Sequence, residues 1–245
     1  MLDLQSPHKK IEETPSCQSF YQHLDEFIRR LVKSALAVIA FSICVYIFID
    51  RILQVILEPV GEVVFTSPSD AFVARVMLAL YGGLILSMPI VLYQVWQFVA
   101  SGLKEREKHH IKLYGPLSLM FFLSGAVFAY LVVVPFTIKF LLSFSSDHIR
   151  PMITIENYIS FVGTMLFSFG VTFELPLILM FLAKIGIATP EFLRQKRRHA
   201  IILIMIVSAI MTPPDIISLL MMSGPLIVLY ETGLIITRMT YKRKV

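Results

Sequence analysis

The chain has 245 residues, of which 56% are hydrophobic and 16% are charged, and its formal net charge is +5. A soluble domain usually has about a quarter charged residues, so this composition indicates a chain that is solvated mostly by lipid. In such a protein the positive excess reports topology, and no nucleic-acid partner is expected. The two cysteines, Cys17 and Cys44, fall in a polar tail and in an apolar run, so neither a disulfide nor a metal site is predicted.

Four long apolar runs come first along the chain, and each has the roughly 20 residues that a membrane-spanning helix needs. They are Leu31–Ile49, Val76–Leu103, Leu113–Ile138 and Asn157–Ala183. The second run has 28 residues without a formal charge. As a helix it would be about 42 Å long, so we expect it to tilt, to bend at Pro89 or to leave the membrane near Trp96.

The last part of the chain has two shorter runs, Ala200–Pro214 and Ile216–Tyr230, of 15 residues each. Each is about 22 Å long as a helix, which is shorter than the roughly 30 Å hydrocarbon core. Pro213 and Pro214 remove two amide donors, which excludes one long helix and predicts a hairpin that turns at Thr212–Asp215. The predicted fold is therefore an all-α integral membrane protein with six transmembrane helices, the last two of them short.

Lysine and arginine are distributed unequally between alternate loops. Eighteen of the 22 lie in the amino-terminal tail, in the loops after the second and fourth runs, and in the carboxyl-terminal tail. By the positive-inside rule, both termini are predicted to be cytoplasmic. The two longer loops on the other face, Asp50–Ala74 and Lys139–Glu156, are expected to form caps. We predict a single polytopic membrane domain over 1–245, with a flexible tail (1–19), a six-helix core (20–236) and a second tail (237–245).

Two charged segments lie next to the apolar runs. Phe20–Leu31 reads as an amphipathic helix, which we expect to lie along the membrane surface before the first run. Within it, Glu26 and Arg30 are one helical turn apart, and a simple ion pair is the plainest interpretation. In the loop after the second run, Glu105 or Glu107 offers a carboxylate to an arginine-bearing peptide, with an ordinary charged loop as the alternative.

One acid, Glu174, lies inside an apolar run. Its burial is costly unless the carboxyl group is paired, protonated or facing water, which favours a functional role over a structural hydrogen bond. Pro176 frees the carbonyl of Thr172 and is expected to kink the helix there. At the later turn, Asp215 is a suitable helix N-cap, and a structural turn and a recognition role are equally supported.

The sequence lacks the motifs of the common enzyme classes. It has no Walker loop, no dinucleotide fingerprint, no GxSxG and no HExxH, and no histidine lies deep in an apolar run. We therefore predict no catalytic residue, no cofactor and no enzymatic activity.

Five segments, in order along the chain, resemble the TatC family of twin-arginine protein translocases. The resemblance extends from about Phe20 to Arg238. The family pattern His-Leu-x-Glu-Leu-Arg reads HLDEFIR at His23–Arg29, and Ser-Pro-x-Glu-x-Phe reads SPSDAF at Ser67–Phe72. The other three segments are Pro89–Phe98 (PIVLYQVWQF) with the loop Ser101–Lys108, Phe169–Pro176 (FGVTFELP) and Thr212–Asp215 (TPPD).

The resemblance implies the receptor core of a translocase that exports folded proteins across the bacterial inner membrane, driven by the proton-motive force and without ATP hydrolysis by this subunit. It also implies signal peptides with paired arginines as ligands, and TatA- and TatB-type single-span proteins as partners in a multimeric complex. The implied signal-peptide residues are His23, Glu26, Arg29, Phe98, Leu103 and Glu107. The implied partner-helix residues are Glu174, Met205 and Thr212. The structural residues of the motifs are Pro68, Phe72, Pro89, Pro176, Pro213, Pro214 and Asp215.

Two other functions compete with this interpretation. An ion-coupled small-molecule transporter would use Glu174 as its titrating group, but the internal repeats and paired broken helices of many transporters are absent from the sequence. An intramembrane enzyme would need a nucleophile and a base within the spans, and the sequence does not offer that pair. Co-purification separates the classes, because a translocase core brings down single-span partners whereas a transporter binds a small solute.

Overall fold

The computed structural model describes residues 15–61, 63–103, 111–145, 152–186, 188–212 and 216–241, and these form a bundle of helices. The helices are α1 (Pro15–Ile47), α2 (Ile49–Leu57), α3 (Asp70–Ser101), α4 (Ile111–Phe128), α5 (Val134–Leu142), α6 (Ile155–Phe173), α7 (Leu175–Lys184), α8 (Pro190–Gln195), α9 (Arg197–Met211) and α10 (Ile216–Tyr241). A five-residue π-helical segment, Ala129–Val133, joins α4 to α5.

Among the described residues, five helical segments are long and apolar enough to cross a membrane. They are His23–Ile47, Asp70–Ser101, Leu113–Leu142, Ile155–Lys184 and Leu219–Met239. The four long apolar runs predicted from the sequence each coincide with one of them. Helix α9 has 15 residues, so it has the short length that the sequence predicts for the fifth run.

The last helix is longer than predicted. The uncharged run ends at Tyr230, but α10 continues through Glu231 to Tyr241 and has 26 residues. An acid does not need to end an apolar helix when it has a partner, and Glu231 Oε1 lies 2.6 Å from Nε of Arg197 on α9. The prediction of two short final helices is therefore wrong for the second of them.

The segment before the first apolar run also differs from expectation. Phe20–Leu31 is not a separate surface helix but part of α1, which has 33 residues and is about 50 Å long. No proline or glycine lies between Ser16 and Ile47. Because nothing in this stretch interrupts the backbone hydrogen bonds, the amphipathic and apolar parts continue as one helix.

Prolines interrupt two of the long helices. The chain turns at Glu174 between α6 and α7, and Pro176 lies in the first turn of α7, as expected for a proline kink. Pro135 cannot donate to the carbonyl of Leu131, and the helix widens into the π-helical segment just before it. Pro89, in contrast, lies exposed inside α3, which continues without a break.

Helix α6 lies at the centre of the bundle. Its side chains Ile159, Val162, Met165 and Phe169 are at most 2% exposed, and it packs on both α3 and α4. Helix α1 packs on α3, and α10 packs on α7 and α9. Most apolar side chains of α1 are exposed, which suits a helix that packs on α3 along one side and faces lipid on its other sides.

The two loops predicted to form caps are joined by backbone hydrogen bonds. Val64 N donates to the carbonyl of Ile153 at 3.0 Å, and Ile155 N donates to the carbonyl of Val64 at 2.9 Å. The Tyr158 hydroxyl also donates to the carbonyl of Ile56 in α2 at 2.7 Å. These contacts hold α2 and the first loop over the start of α6. We call this side of the bundle, which carries residues 58–61, 63–69 and 152–154, the loop end.

Asp70 organises the start of α3 at the loop end. It is 8% exposed, and its Oδ2 accepts hydrogen bonds from the backbone N–H groups of Thr66 and Ser67 at 2.9 and 2.8 Å and from the Thr66 hydroxyl at 2.8 Å. Asp70→Ala removes the acceptor of three donors and is expected to lower the free energy of unfolding. Denaturant unfolding in detergent, followed by the fluorescence of Trp96, the chain's one tryptophan, measures this loss.

The matched variant Asp70→Asn keeps one acceptor oxygen and removes only the charge. It should therefore lose clearly less stability than Asp70→Ala, because charge-assisted hydrogen bonds are stronger than neutral ones but the neutral bonds persist. Equal losses in the two variants would contradict the role of Asp70 as an acceptor.

Candidate functional site

At the end of the bundle opposite the loop end, the start of α1 lies against the last turns of α3. His23 stacks on Phe98 with ring centroids 4.6 Å apart, and Phe27 packs on the same ring at 5.3 Å. Two site residues predicted from distant parts of the sequence, His23 and Phe98, are therefore in contact. We call the group formed by His23, Glu26, Phe27, Arg30, Gln94 and Phe98 the α1–α3 site.

A carboxylate and a guanidinium form the polar part of the α1–α3 site. Arg30 donates to Glu26 Oε1 from Nε at 3.0 Å and from Nη2 at 2.5 Å, and its Nη1 donates to Gln94 Oε1 on α3 at 3.2 Å. The side chains of Arg30 and Glu26 are 22% and 31% exposed. The ion pair expected from their spacing is present, and Gln94 connects it to the neighbouring helix.

Two clefts adjoin this ion pair. The polar cleft has a volume of about 410 Å³ and is lined by Asp25, Glu26, Arg29, Arg30 and Lys33. The apolar cleft has a volume of about 130 Å³ and is lined by Phe27, Arg30, Leu31, Ser34, Val91, Gln94, Val95 and Phe98. A carboxylate beside an aromatic ring suits a planar guanidinium, which pairs with carboxylates and stacks on rings. The site is chemically suited to an arginine with apolar neighbours.

An aromatic cluster lies beside the α1–α3 site and joins the end of α3 to α4 and α7. Trp96 stacks on Tyr114 with centroids 5.1 Å apart and meets Phe181 edge-on at 5.1 Å. Leu103, predicted as a wall of the signal-peptide site, packs against this cluster. Glu107 and Glu105 lie outside the described residues, but the helices on either side of them, α3 and α4, end and begin at this side of the bundle.

Glu174 is placed in the core between α4 and α7. It is 6% exposed, and its Oε2 accepts a hydrogen bond from the Ser118 hydroxyl at 2.6 Å. Its other oxygen, Oε1, has no hydrogen-bond partner among the described residues. The structural hydrogen bond weighed in the sequence analysis is thus present, and it uses one of the two carboxylate oxygens.

The other predicted contact residues lie away from the α1–α3 site. Met205 is 39% exposed on α9, and Thr212 is 9% exposed just after α9, with its hydroxyl donating to the carbonyl of Ser208 at 2.8 Å. Pro68 and Phe72 are exposed at the loop end. Pro213, Pro214 and Asp215 lie outside the described residues.

Sequence reasoning missed Gln94 and gave Arg30 no role beyond a simple pair. It selected Arg29, which is exposed on the rim of the polar cleft. Gln94 is one of the few polar side chains in the long second apolar run. This polar residue, near the end of a membrane-spanning segment, could have been selected as a candidate site residue from the sequence.

Five apolar helical segments of membrane-crossing length among the described residues, one of which contains the buried central helix α6, define a multi-pass integral membrane protein. The chain belongs to the TatC family, because the family model described as "Sec-independent protein translocase protein (TatC)" matches residues 22–225. It is therefore a multi-pass protein of the bacterial inner membrane and a component of the twin-arginine protein translocation pathway. Family membership does not favour the small-molecule transporter.

Named relatives and a solved structure agree with this assignment. The chain is 38% identical over 233 residues to the TatC protein of Carboxydothermus hydrogenoformans, covering 93% of this chain and 95% of the relative. It is 33% identical over 234 residues to TatCy of Bacillus subtilis, covering 92% and 91%. A crystal structure titled as the twin arginine translocase receptor TatC matches with a TM-score of 0.83 and 31% identity, over 89% of this chain and 99% of that one.

Proposed function

We propose that this chain is the receptor core of the twin-arginine translocase and that the α1–α3 site binds the paired arginines of signal peptides on folded cargo. The observation that carries the proposal is the Glu26 carboxylate, which holds a guanidinium in the structure and directly precedes Phe27, whose ring packs on Phe98. A carboxylate that already pairs with one arginine has the geometry to pair with another.

The proposal includes a topology of six crossings with both termini in the cytoplasm. Helix α9 is the fifth and shortest crossing, which suits a locally thinned bilayer. Eighteen of the 22 lysines and arginines then lie on the cytoplasmic face. In this orientation the α1–α3 site opens on the cytoplasmic side, where cargo is present before export.

The proposal also includes TatA- and TatB-type partners. Glu174 has one carboxylate oxygen without a partner among the described residues, and a polar side chain of a partner helix would satisfy it. Met205 and Thr212 on the short α9 hairpin would contact a partner span. Transport itself is driven by the proton-motive force, and this subunit needs no cofactor.

Co-purification from detergent tests the proposal as a whole. The tagged full-length chain should co-purify with single-span partner proteins and with a folded cargo that carries an arginine pair. A cargo whose arginine pair is replaced by two alanines should not co-purify. Recovery of both cargoes in equal amounts would contradict arginine-pair recognition.

Glu107→Ala is expected to abolish binding of a twin-arginine signal peptide while membrane insertion is unchanged. The reason is the loss of a second carboxylate, placed by the family motif in the segment between α3 and α4 and therefore expected near Glu26. Photo-crosslinking of a signal peptide to the membrane-embedded chain measures binding. The neighbouring variant Glu105→Ala is the control and should crosslink like the unchanged chain. Unchanged crosslinking in Glu107→Ala would show that this carboxylate is not needed.

A further inference from the structure

The Glu26 carboxylate is not vacant in the structure, because Arg30 of the same helix occupies it. Two N–H groups of one guanidinium point at a single carboxylate oxygen, at 2.5 and 3.0 Å. A third N–H of the same group donates to Gln94 Oε1 on α3 at 3.2 Å. Ion pairs on an exposed helix surface contribute little, but here Gln94 on the neighbouring helix accepts a further hydrogen bond from the guanidinium.

The surroundings of Arg30 hold its side chain in this position. It lines the apolar cleft between α1 and α3 together with Phe27 and Phe98, and its head group also borders the polar cleft of about 410 Å³. The long side chain thus lies along apolar surface while its charged group stays at the edge of the larger cleft. That cleft has room for a second guanidinium next to the one already present.

We propose that Arg30 is an internal substitute for a ligand arginine, so that a signal peptide binds by exchanging its own guanidinium for that of Arg30 on Glu26. This inference rests on the proposed binding of paired arginines at the α1–α3 site. The exchange has two consequences. Displacing Arg30 costs free energy, so every ligand that pairs with Glu26 binds more weakly by that amount. When the ligand leaves, Arg30 returns, so the half-buried carboxylate is never left without a partner.

The return of Arg30 should act mainly on the dissociation rate. A partly exposed carboxylate that loses its charged partner is left less stable, and this penalty slows release of a charged ligand. An arginine on the same helix, one turn away, removes the penalty by taking the place of the departing group. Arg30 would in this way speed the dissociation of cargo from the receptor before transfer.

The test measures binding of a fluorescent peptide with two consecutive arginines to the purified full-length chain in lipid nanodiscs. Arg30→Gln removes the internal guanidinium and should lower the Kd by about three- to five-fold, the upper part of the range for a partly exposed ion pair. Most of the change should be a slower dissociation, measured by chasing with unlabelled peptide. Weaker binding, or unchanged binding, would overturn the proposal, because Arg30 would then position Glu26 or play no part.

Gln94→Leu is a second variant that keeps Arg30 but removes its contact with α3. It should lower the Kd in the same direction by a smaller factor, about two-fold. If Arg30→Gln does not fold, as judged by Trp96 fluorescence, the result with Gln94→Leu decides, and unchanged or weaker binding overturns the proposal.

A control peptide with two alanines in place of the arginines distinguishes a failure of the proposed function from a failure of the exchange alone. If the unchanged chain does not prefer the arginine peptide, the proposed function fails and the exchange fails with it. If the unchanged chain prefers the arginine peptide but neither Arg30→Gln nor Gln94→Leu tightens its binding, only the exchange fails.

Discussion

Gly83→Ala is expected to disrupt the packing of α1 on α3 and, through it, the distant α1–α3 site. A Cβ atom at Gly83 would lie 2.5 Å from both the Cα and the backbone N of Ser42 on α1, closer than real Cβ atoms come to other atoms. Backbone atoms cannot rotate away as the end of a flexible side chain can, so the two helices must separate. Overpacking of this kind typically costs about 1–3 kcal/mol, and a backbone clash places this substitution at about 3 kcal/mol.

The same variant should also weaken peptide binding, although Gly83 lies 11 residues before Gln94, about 16 Å along α3. Separation of α1 from α3 pulls apart the stacking of His23 on Phe98 and the packing of Phe27 on the same ring, so the Glu26 carboxylate and the aromatic ring no longer face the same ligand. We expect at least about a ten-fold rise in Kd for an arginine-pair peptide, equal to about 1.4 kcal/mol. Denaturant unfolding with Trp96 fluorescence and peptide binding in nanodiscs measure the two effects.

Gly115→Ala is the matched control for Gly83→Ala. A Cβ atom at Gly115 on α4 would have no atom within 4 Å outside its own chain neighbourhood. Alanine there should change the free energy of unfolding by less than about 1 kcal/mol, because its better helix propensity is offset by contact of the new Cβ with the ring of the following Pro116. Similar losses in the two variants would mean that glycine matters in these helices for a reason other than the contact with Ser42.

Glu26→Gln is expected to reduce the affinity for an arginine-pair peptide by about 10- to 100-fold, the range for a charge-assisted hydrogen bond of about 1.5–3 kcal/mol. Glutamine has the shape of glutamate and keeps one acceptor oxygen, so the loss isolates the negative charge. The loss persists although the substitution also frees Arg30, because the free guanidinium then repels the incoming arginines. Titration of the fluorescent peptide against the variant in nanodiscs gives the Kd.

Asp25→Asn controls for the change in net charge. Asp25 precedes Glu26 in the sequence, is exposed and lines the same polar cleft. Its substitution removes one negative charge from the same end of α1, but Arg30 keeps its partner. A loss of affinity as large as that of Glu26→Gln would mean that the site attracts arginines through its overall field and not through the Glu26 carboxylate.

Most of the fold followed from local sequence patterns. The four long apolar runs became helices in the expected places, because about 20 apolar residues in lipid must satisfy their backbone hydrogen bonds within the segment. The turn at Glu174 followed from the missing amide donor of Pro176. The ion pair of Glu26 with Arg30 followed from their spacing of four residues.

Features that depend on contacts between distant residues were missed. The length of α10 depends on the pairing of Glu231 with Arg197, which the apolar pattern alone does not show. The contact of Arg30 with Gln94 depends on the register of α1 against α3. That register is set in part by the close approach at Gly83, and no local pattern specifies it.

Crosslink mapping shows directly whether paired arginines bind at the α1–α3 site. A signal peptide that carries a photoreactive residue next to its arginine pair is bound to the full-length chain in nanodiscs, irradiated, and the labelled residues are identified by mass spectrometry. We predict labels within His23–Arg30 and Gln94–Leu103, and their loss when the arginines are replaced by alanine. Labels at the loop end, or labels that persist without the arginines, would mean that paired arginines do not bind at the α1–α3 site.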